Sequence, residues 1–425
     1  MRYVPRSADR LSIAEARVAL CNYFYARQMG GALFLRLMDG AEGSLRDLVW
    51  LGLHEIQGAD VTPQHDELCR QAVRRLVKDG RAYWCADGTV LRFRMPEGRT
   101  LVFHDLIRGE TCISRVEIGD FVVYCVEGGE WVDGHPLPNL ARVVADHELG
   151  ITHILQEDRF LPDAARQILL HRALGYEEPR FGHLPMLTMP DGEDASLRRY
   201  EAEGYLPEAV CAYLATLCGV SAGHAERLSL AELVEQFDLQ RAVHPPLFDP
   251  ERLLWFNRQR LRMAETGYVA ALLQPRLEAA YGAWERSQGT VYDAQEWYDL
   301  LVSSLQAEAT TLDHMVGLSR FCFVERVTEF TEEARQALAG EGAHEVLAYC
   351  HRTLTAEAMA TYDEAAQFYQ QMRHHFRETA GLRGRQVMFP IRAALTGTLV
   401  GPCLGIVTTL LGYTRCLERL EDSLG

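Results

Sequence analysis

The sequence predicts an α/β body that carries a β-rich insertion and is followed by an all-α helical-bundle region. Three observations lead there. From Arg2 to about Phe181, short apolar strands alternate with amphipathic helices, the rhythm of a parallel sheet with crossover helices. Across residues 91–126 that rhythm gives way to short, turn-separated strand-like runs, an insertion between two halves of the sheet. Beyond Gly204, apolar residues recur at three- and four-residue spacing, as in Leu300-Leu301-Leu305 and Val346-Leu347-Cys350.

In chain order, Arg2-Tyr3-Val4-Pro5 reads as a short strand. A helix then opens at Ser12 and runs through Arg27, and Gly30-Gly31-Ala32-Leu33-Phe34-Leu35-Arg36-Leu37 returns as a strand. Ser12 and Glu15 have capping-box spacing: the Ser12 hydroxyl accepts from the Glu15 N–H, and the Glu15 carboxylate accepts from the Ser12 N–H. In the insertion, Leu91-Arg92-Phe93-Arg94, Thr100-Leu101-Val102-Phe103 and Asp120-Phe121-Val122-Val123-Tyr124 are the expected strands, with a tight turn at Ala86-Asp87-Gly88. His104, Asp105 and Cys112 lie close in sequence, but spacing alone does not supply a catalytic triad.

A chain of 425 residues, 48% hydrophobic and 24% charged, is long enough for two or three domains with real cores. The net charge of −16 argues against indiscriminate nucleic-acid binding, so no DNA partner is expected, though one local basic face still permits RNA. No apolar run approaches the ~20 residues that cross a bilayer, and the N-terminus lacks a signal-peptide pattern; the expectation is a cytoplasmic protein with no membrane partner. Eleven cysteines are scattered from Cys21 to Cys416 without a C-x-x-C pair, which predicts buried thiols in a reducing compartment and no metal, zinc included.

The first forty residues resemble the N-terminus of glutamyl-tRNA synthetases, whose pattern runs R-F-A-P-S-P-T-G-x-L-H-I-G-G-A-R, a helix, then G-G-x-F-x-L-R-I-E-D-T-D. Further matches follow in family order: Asp105-Leu106-Ile107-Arg108-Gly109-Glu110, Gly150-Ile151-Thr152-His153, Arg166-Gln167-Ile168-Leu169-Leu170, His183-Leu184-Pro185, and Phe248-Asp249-Pro250. The resemblance implies a Rossmann-type class I synthetase body over residues 1–82 and 138–185, and a reduced acceptor-binding insertion over 83–137. It implies a helical stem-contact-like domain over 186–290 and a helical anticodon-binding-like domain over 291–425. ATP, magnesium and tRNA are what the family uses.

Against that pattern the chemical groups have changed. The H-I-G-G signature, which faces ATP phosphates in the family, reads Ser12-Ile13-Ala14-Glu15. The K-L-S-K-R signature reads Asp194-Ala195-Ser196-Leu197-Arg198, so a lysine that stabilises phosphate charge has become Leu197. In the amino-acid pocket Arg2 and Asp146 persist, while the family's serine, glutamate and tyrosine positions read Arg6, Met38 and Pro138, the last followed by Asn139. Gln156 stands where the family has an arginine, and Arg142 is a further pocket candidate. For tRNA, the candidates are Arg258, Arg260 and Arg262, and Arg383, Arg385 and Arg392.

The expectation is therefore a non-catalytic paralogue of glutamyl-tRNA synthetase, holding neither ATP nor magnesium, that binds tRNA or a protein such as an active synthetase. One alternative is a working glutamate–tRNA ligase; another is a pocket rebuilt around Arg2, Arg6, Asp146 and Arg142 for another small acid.

Overall fold

Strands separated by helices pair in parallel, because each crossover returns the chain to the same end of the sheet. β1 (Arg2–Tyr3), β2 (Leu33–Leu37) and β3 (Ile56–Asp60) form a parallel sheet in that order, with α1 (Ile13–Gln28) and α2 (Glu42–Trp50) between them. The computed structural model describes residues 1–5, 10–37, 42–60, 63–98, 100–126, 134–190, 192, 194–283 and 291–425. The candidates Arg6 and Met38 lie outside the described residues.

α3 (Pro63–Lys78) leads into the insertion. There β4 (Ala82–Trp84), β5 (Val90–Phe93), β8 (Phe121–Cys125) and β9 (His135–Pro136) form an antiparallel sheet in that order. β6 (Thr100–Asp105) and β7 (Gly109–Ser114) make a separate hairpin, followed by α4 (Arg115–Ile118). The expected turn closes with the Gly88 N–H on the Cys85 carbonyl at 2.9 Å, Gly88 taking the positive φ of 70° that favours glycine.

The second half of the body runs α5 (Pro138–Glu148), β10 (His153–Glu157), α6 (Leu161–Leu174) and β11 (Arg180–Leu184), with β10 and β11 parallel. Asn22 ties α1 to β10 by bonding both backbone groups of Leu155, at 2.8 and 3.1 Å. α7 (Leu197–Ala202), α8 (Pro207–Leu217), α9 (Leu230–Gln236) and α10 (Pro250–Met263) follow. A core spanning Val73, Leu76, Phe93, Val143, Ile168 and Phe181 joins the insertion to the sheet helices.

The chain divides into two compact units, Met1–Ala202 with Leu206–Phe256, and Glu203–Tyr205 with Asn257–Gly425. The division falls inside α10, within the stretch 186–290 that the family resemblance assigns to one domain. The second unit contains α11 (Thr266–Tyr281), α12 (Ala294–Leu305), α13 (Leu312–Leu318), α14 (Arg320–Phe323), α15 (Glu332–Leu338), α16 (Ala343–Thr353), α17 (Tyr362–Ala380), α18 (Gly384–Thr396) and α19 (Leu404–Leu424). Its core gathers Val346, Leu347, Met372, Ile391, Leu395 and Leu411. Arg419 is buried there, and its guanidinium donates to the carbonyls of Leu395, Phe321 and Val324, which offsets the cost of burying a charge. No helix among the described residues is long and apolar enough to cross a membrane.

Candidate functional site

An α-helix leaves its first N–H groups without intrahelical partners, and the helix dipole makes that end attractive to anions. At the start of α1 every such donor is matched within the protein. The Ile13 N–H donates to the Ala195 carbonyl at 3.0 Å, the Ala14 N–H to Asp194 Oδ1 at 3.1 Å, and the Glu15 N–H to Ser12 Oγ at 3.2 Å. Glu15 Oε2 in turn accepts from the Ser12 N–H at 3.1 Å, completing the capping box that the sequence predicts.

The segment that supplies Asp194 is pinned down. The Leu197 N–H donates to the Leu11 carbonyl at 2.9 Å, and Ser12 and Ser196 form an antiparallel bridge. The Leu197 side chain is fully buried at the start of α7. On the other side, Asp47 of α2 accepts from the Leu11 N–H at 2.7 Å and pairs with Arg10 at 2.8 Å. Arg198 is exposed.

A cavity of about 240 Å³ lies beside this helix start, between β1 and β10. Arg2, Glu15, Arg142 and Gln156 line it, together with the apolar side chains of Val18, Ile154 and Phe160 among others. Arg2 is buried and pairs through Nε with Asp146 Oδ1 at 2.6 Å, and a terminal nitrogen donates to Asp146 Oδ2 at 3.0 Å and to Gln167 Oε1 at 3.1 Å. Asn139 joins this network through Gln167 at 3.0 Å and Asp163 at 3.2 Å; neither it nor exposed Pro138 lines the cavity. His171, wholly buried on α6, is lowered from 6.5 to about 4 by burial first and by the Arg2 charge second, so it is neutral.

Beneath the cavity runs a buried relay. Asp105 Oδ2 lies 2.5 Å from His183 Nδ1, both side chains fully buried. Burial opposes ionisation of Asp105, but the His183 ring and the N–H groups of Arg108 and Ile107 outweigh it and hold the carboxyl below its usual range. Gln156 Nε2 reaches His183 Nε2 at 3.0 Å and the Phe160 carbonyl at 3.1 Å. Asp105 thus pairs with His183 and not with its sequence neighbour His104, whose side chain points the other way along β6. Among the described residues no group of three or more His, Cys, Asp or Glu side chains is gathered as a metal ion requires.

The family model described as the catalytic domain of class I tRNA synthetases (E and Q) matches residues 1–89 and 86–255, and an anticodon binding domain model matches 260–424. A glutamate–tRNA ligase of Rubrobacter xylanophilus is 34% identical over 441 residues, covering 99% of this chain and 96% of that protein. One from Bacillus cytotoxicus is 28% identical, covering 100% and 99%.

The chain belongs to the glutamyl-tRNA synthetase family.

The fold agrees: a glutamate–tRNA ligase of Elizabethkingia meningosepticum, solved with its amino acid, superposes with a TM-score of 0.80 at 22% identity, over 100% of this chain and 98% of that one. Within this glutamyl-tRNA synthetase relative, the structure brings both altered signatures together at one helix start, and sets Arg2, Arg142 and Gln156 around one cavity. Asp194 as a partner of α1, Gln167 as a partner of Arg2, and the Asp105–His183–Gln156 relay are what sequence reasoning missed. For Asp194 a signal existed, since an acid replacing a lysine is suited to a helix N-terminus.

In the helical unit, Arg258, Arg383 and Arg385 are exposed, with the Arg385 guanidinium 5.9 Å from the Phe389 ring centre. Arg260 is half-buried. Arg262 donates to the Ala307 carbonyl at 3.0 and 3.1 Å, and half-buried Arg392 donates to the Pro402 carbonyl.

Proposed function

We propose that this chain is a glutamyl-tRNA synthetase relative that does not form glutamyl-adenylate and that contacts tRNA through its helical unit. The observation that carries the first half is the start of α1, where Asp194, Ala195 and Ser12 take the N–H groups a phosphate needs. A triphosphate there would meet the Asp194 and Glu15 carboxylates instead of lysine and free amides. Like charges in close contact repel, and a lost phosphate-stabilising donor costs about 3 kcal/mol in the transition state. The residues present do not fit ATP or the magnesium that accompanies it.

The tRNA half is supported by the anticodon binding domain match over residues 260–424. In a chain of net charge −16, binding then rests on a few exposed arginines, with Arg258, Arg383 and Arg385 the candidates. Each phosphate contact contributes a slope of roughly −0.9 in log K against log salt on duplex, so the affinity is weak and salt-sensitive.

The second reading, a working glutamate–tRNA ligase, is favoured by the end-to-end likeness to proteins of that name. ATP–pyrophosphate exchange with glutamate and tRNA present separates the two. Our reading gives exchange at background, and exchange above it establishes the second. Filter binding of tRNA at low salt tests the other half: the double variant Arg383→Glu, Arg385→Glu is expected to abolish retention. If the wild-type chain retains no tRNA, the remaining role is pairing with a protein such as an active synthetase.

A further inference from the structure

Between α1 and the end of α8 a buried positive charge meets only neutral partners. Arg17, on α1, is 1% exposed, and a guanidinium keeps its charge at any working pH. Its Nε donates to the Leu217 carbonyl at 2.9 Å and its Nη1 to the Pro185 carbonyl at 2.8 Å, while Nη2 is buried without a hydrogen-bond partner. Two carbonyls satisfy donors but do not neutralise a charge, and burial makes an uncompensated charge costly.

Two thiols stand beside it. Cys21 lies one helical turn beyond Arg17 on the same face of α1, and Cys218 caps the end of α8; both are fully buried. The Cys218 Sγ lies 3.4 Å from the Arg17 carbonyl oxygen, and the two thiols are hydrogen-bonded to each other. Burial pushes the Cys21 thiol up, but the Cys218 hydrogen bond and the Arg17 charge outweigh it and hold Cys21 below the usual thiol range. Cys218 moves the other way, raised well above that range by burial and by the bond to Cys21. The pair thus divides into an attacking thiolate, Cys21, and a resolving thiol, Cys218. Cys211, also buried, sits about two turns earlier on α8, and among the described residues these side chains form no metal-binding group.

We propose that Cys21 and Cys218 are a peroxide-oxidisable pair that closes a disulfide between α1 and α8. The Cys21 thiolate attacks one oxygen of hydrogen peroxide, the O–O bond breaks, hydroxide leaves and Cys21 becomes a sulfenic acid. The Cys218 sulfur then attacks the Cys21 sulfur, the S–O bond breaks, and the departing hydroxide takes the Cys218 proton as water. Two thiols are oxidised and one peroxide is reduced to two waters, the first hydroxide taking up the proton that Cys21 lost on ionising. Peroxide is little larger than water, and it enters as the end of α8 opens: the exposed stretch 221–224 begins three residues after Cys218. Neither adenylate formation nor tRNA binding enters this chemistry, so its test is separate from theirs.

The full-length protein, reduced and freed of reductant, is treated with one equivalent of hydrogen peroxide, unfolded in iodoacetamide, digested and mapped by fragmentation mass spectrometry. The expected product is a Cys21–Cys218 link, with two thiols lost per peroxide and both recovered by dithiothreitol. In Cys218→Ser the hydroxyl still donates but cannot resolve, so dimedone is expected to trap a Cys21 sulfenic acid. Cys21→Ser is expected to leave Cys218 reduced at the same dose. If Cys21 and Cys218 are both recovered alkylated while exposed Cys112 and Cys403 are oxidised, the proposal is overturned. A link joining either thiol to Cys211 overturns it as well. The wild-type map decides the matter even if a variant does not fold.

Discussion

The start of α1 and the β1–β10 edge, the two ends of the candidate site, are built in different ways. At the start of α1 the protein meets its own donors: a capping box, an aspartate 180 residues away in sequence, and a buried leucine where the family pattern has a lysine. At the β1–β10 edge lies a cavity of about 240 Å³, lined by both charged and apolar side chains. The difference follows from what each end costs when nothing is bound. Four backbone donors at a helix start demand partners, so substitutions that supply them stabilise the fold. A half-apolar cavity with its arginine already ion-paired makes no such demand and persists.

The largest expected effect breaks the cavity end. Asp146→Ala leaves Arg2 buried without its counter-charge and is expected to lower stability by about 3–5 kcal/mol, read by urea unfolding. A loss below about 1 kcal/mol would mean that Arg2 finds another partner within the protein. Next, Leu197→Ala removes a wholly buried side chain at the filled end, with an expected loss of about 3 kcal/mol. A neutral result there would show that the second signature is not anchored.

A pH effect of similar size belongs to the cavity end. Because His171 titrates near 4 when folded and near 6.5 when unfolded, the unfolded chain takes up the proton first. Stability is therefore complete above about pH 6.5 and falls as the pH drops toward 4, by about 3 kcal/mol in all. His171→Leu is expected to flatten that part of a melting-temperature profile. The smallest effect sharpens the filled end: Ser12→Ala deprives the Glu15 N–H of its acceptor and is expected to cost about 1 kcal/mol in thermal unfolding.

Much of this was legible in the sequence wherever the determinant was local. The capping box needs only Ser12 and Glu15, three residues apart, and the strand and helix periods are read in short windows. Pairings across the chain were not legible. Asp194 meets Ala14 only because residues 195–197 zip against 11–13. Asp105 was near His104 and Cys112 in sequence, yet strand alternation turns His104 outward and Asp105 inward, toward His183 some 78 residues on. Arg392 reads as a surface cation by type, but it shares α18 with buried Ile391 and Leu395, which draws its guanidinium to the Pro402 carbonyl.

The central claim is that the start of α1 no longer has room or charge for a phosphate. Titration of the wild-type protein with ATP and magnesium in a calorimeter tests it most directly. The account predicts no binding at concentrations up to about 1 mM. Binding in the micromolar range, weakened by a bulkier side chain at Ala14 while the fold is kept, would contradict it.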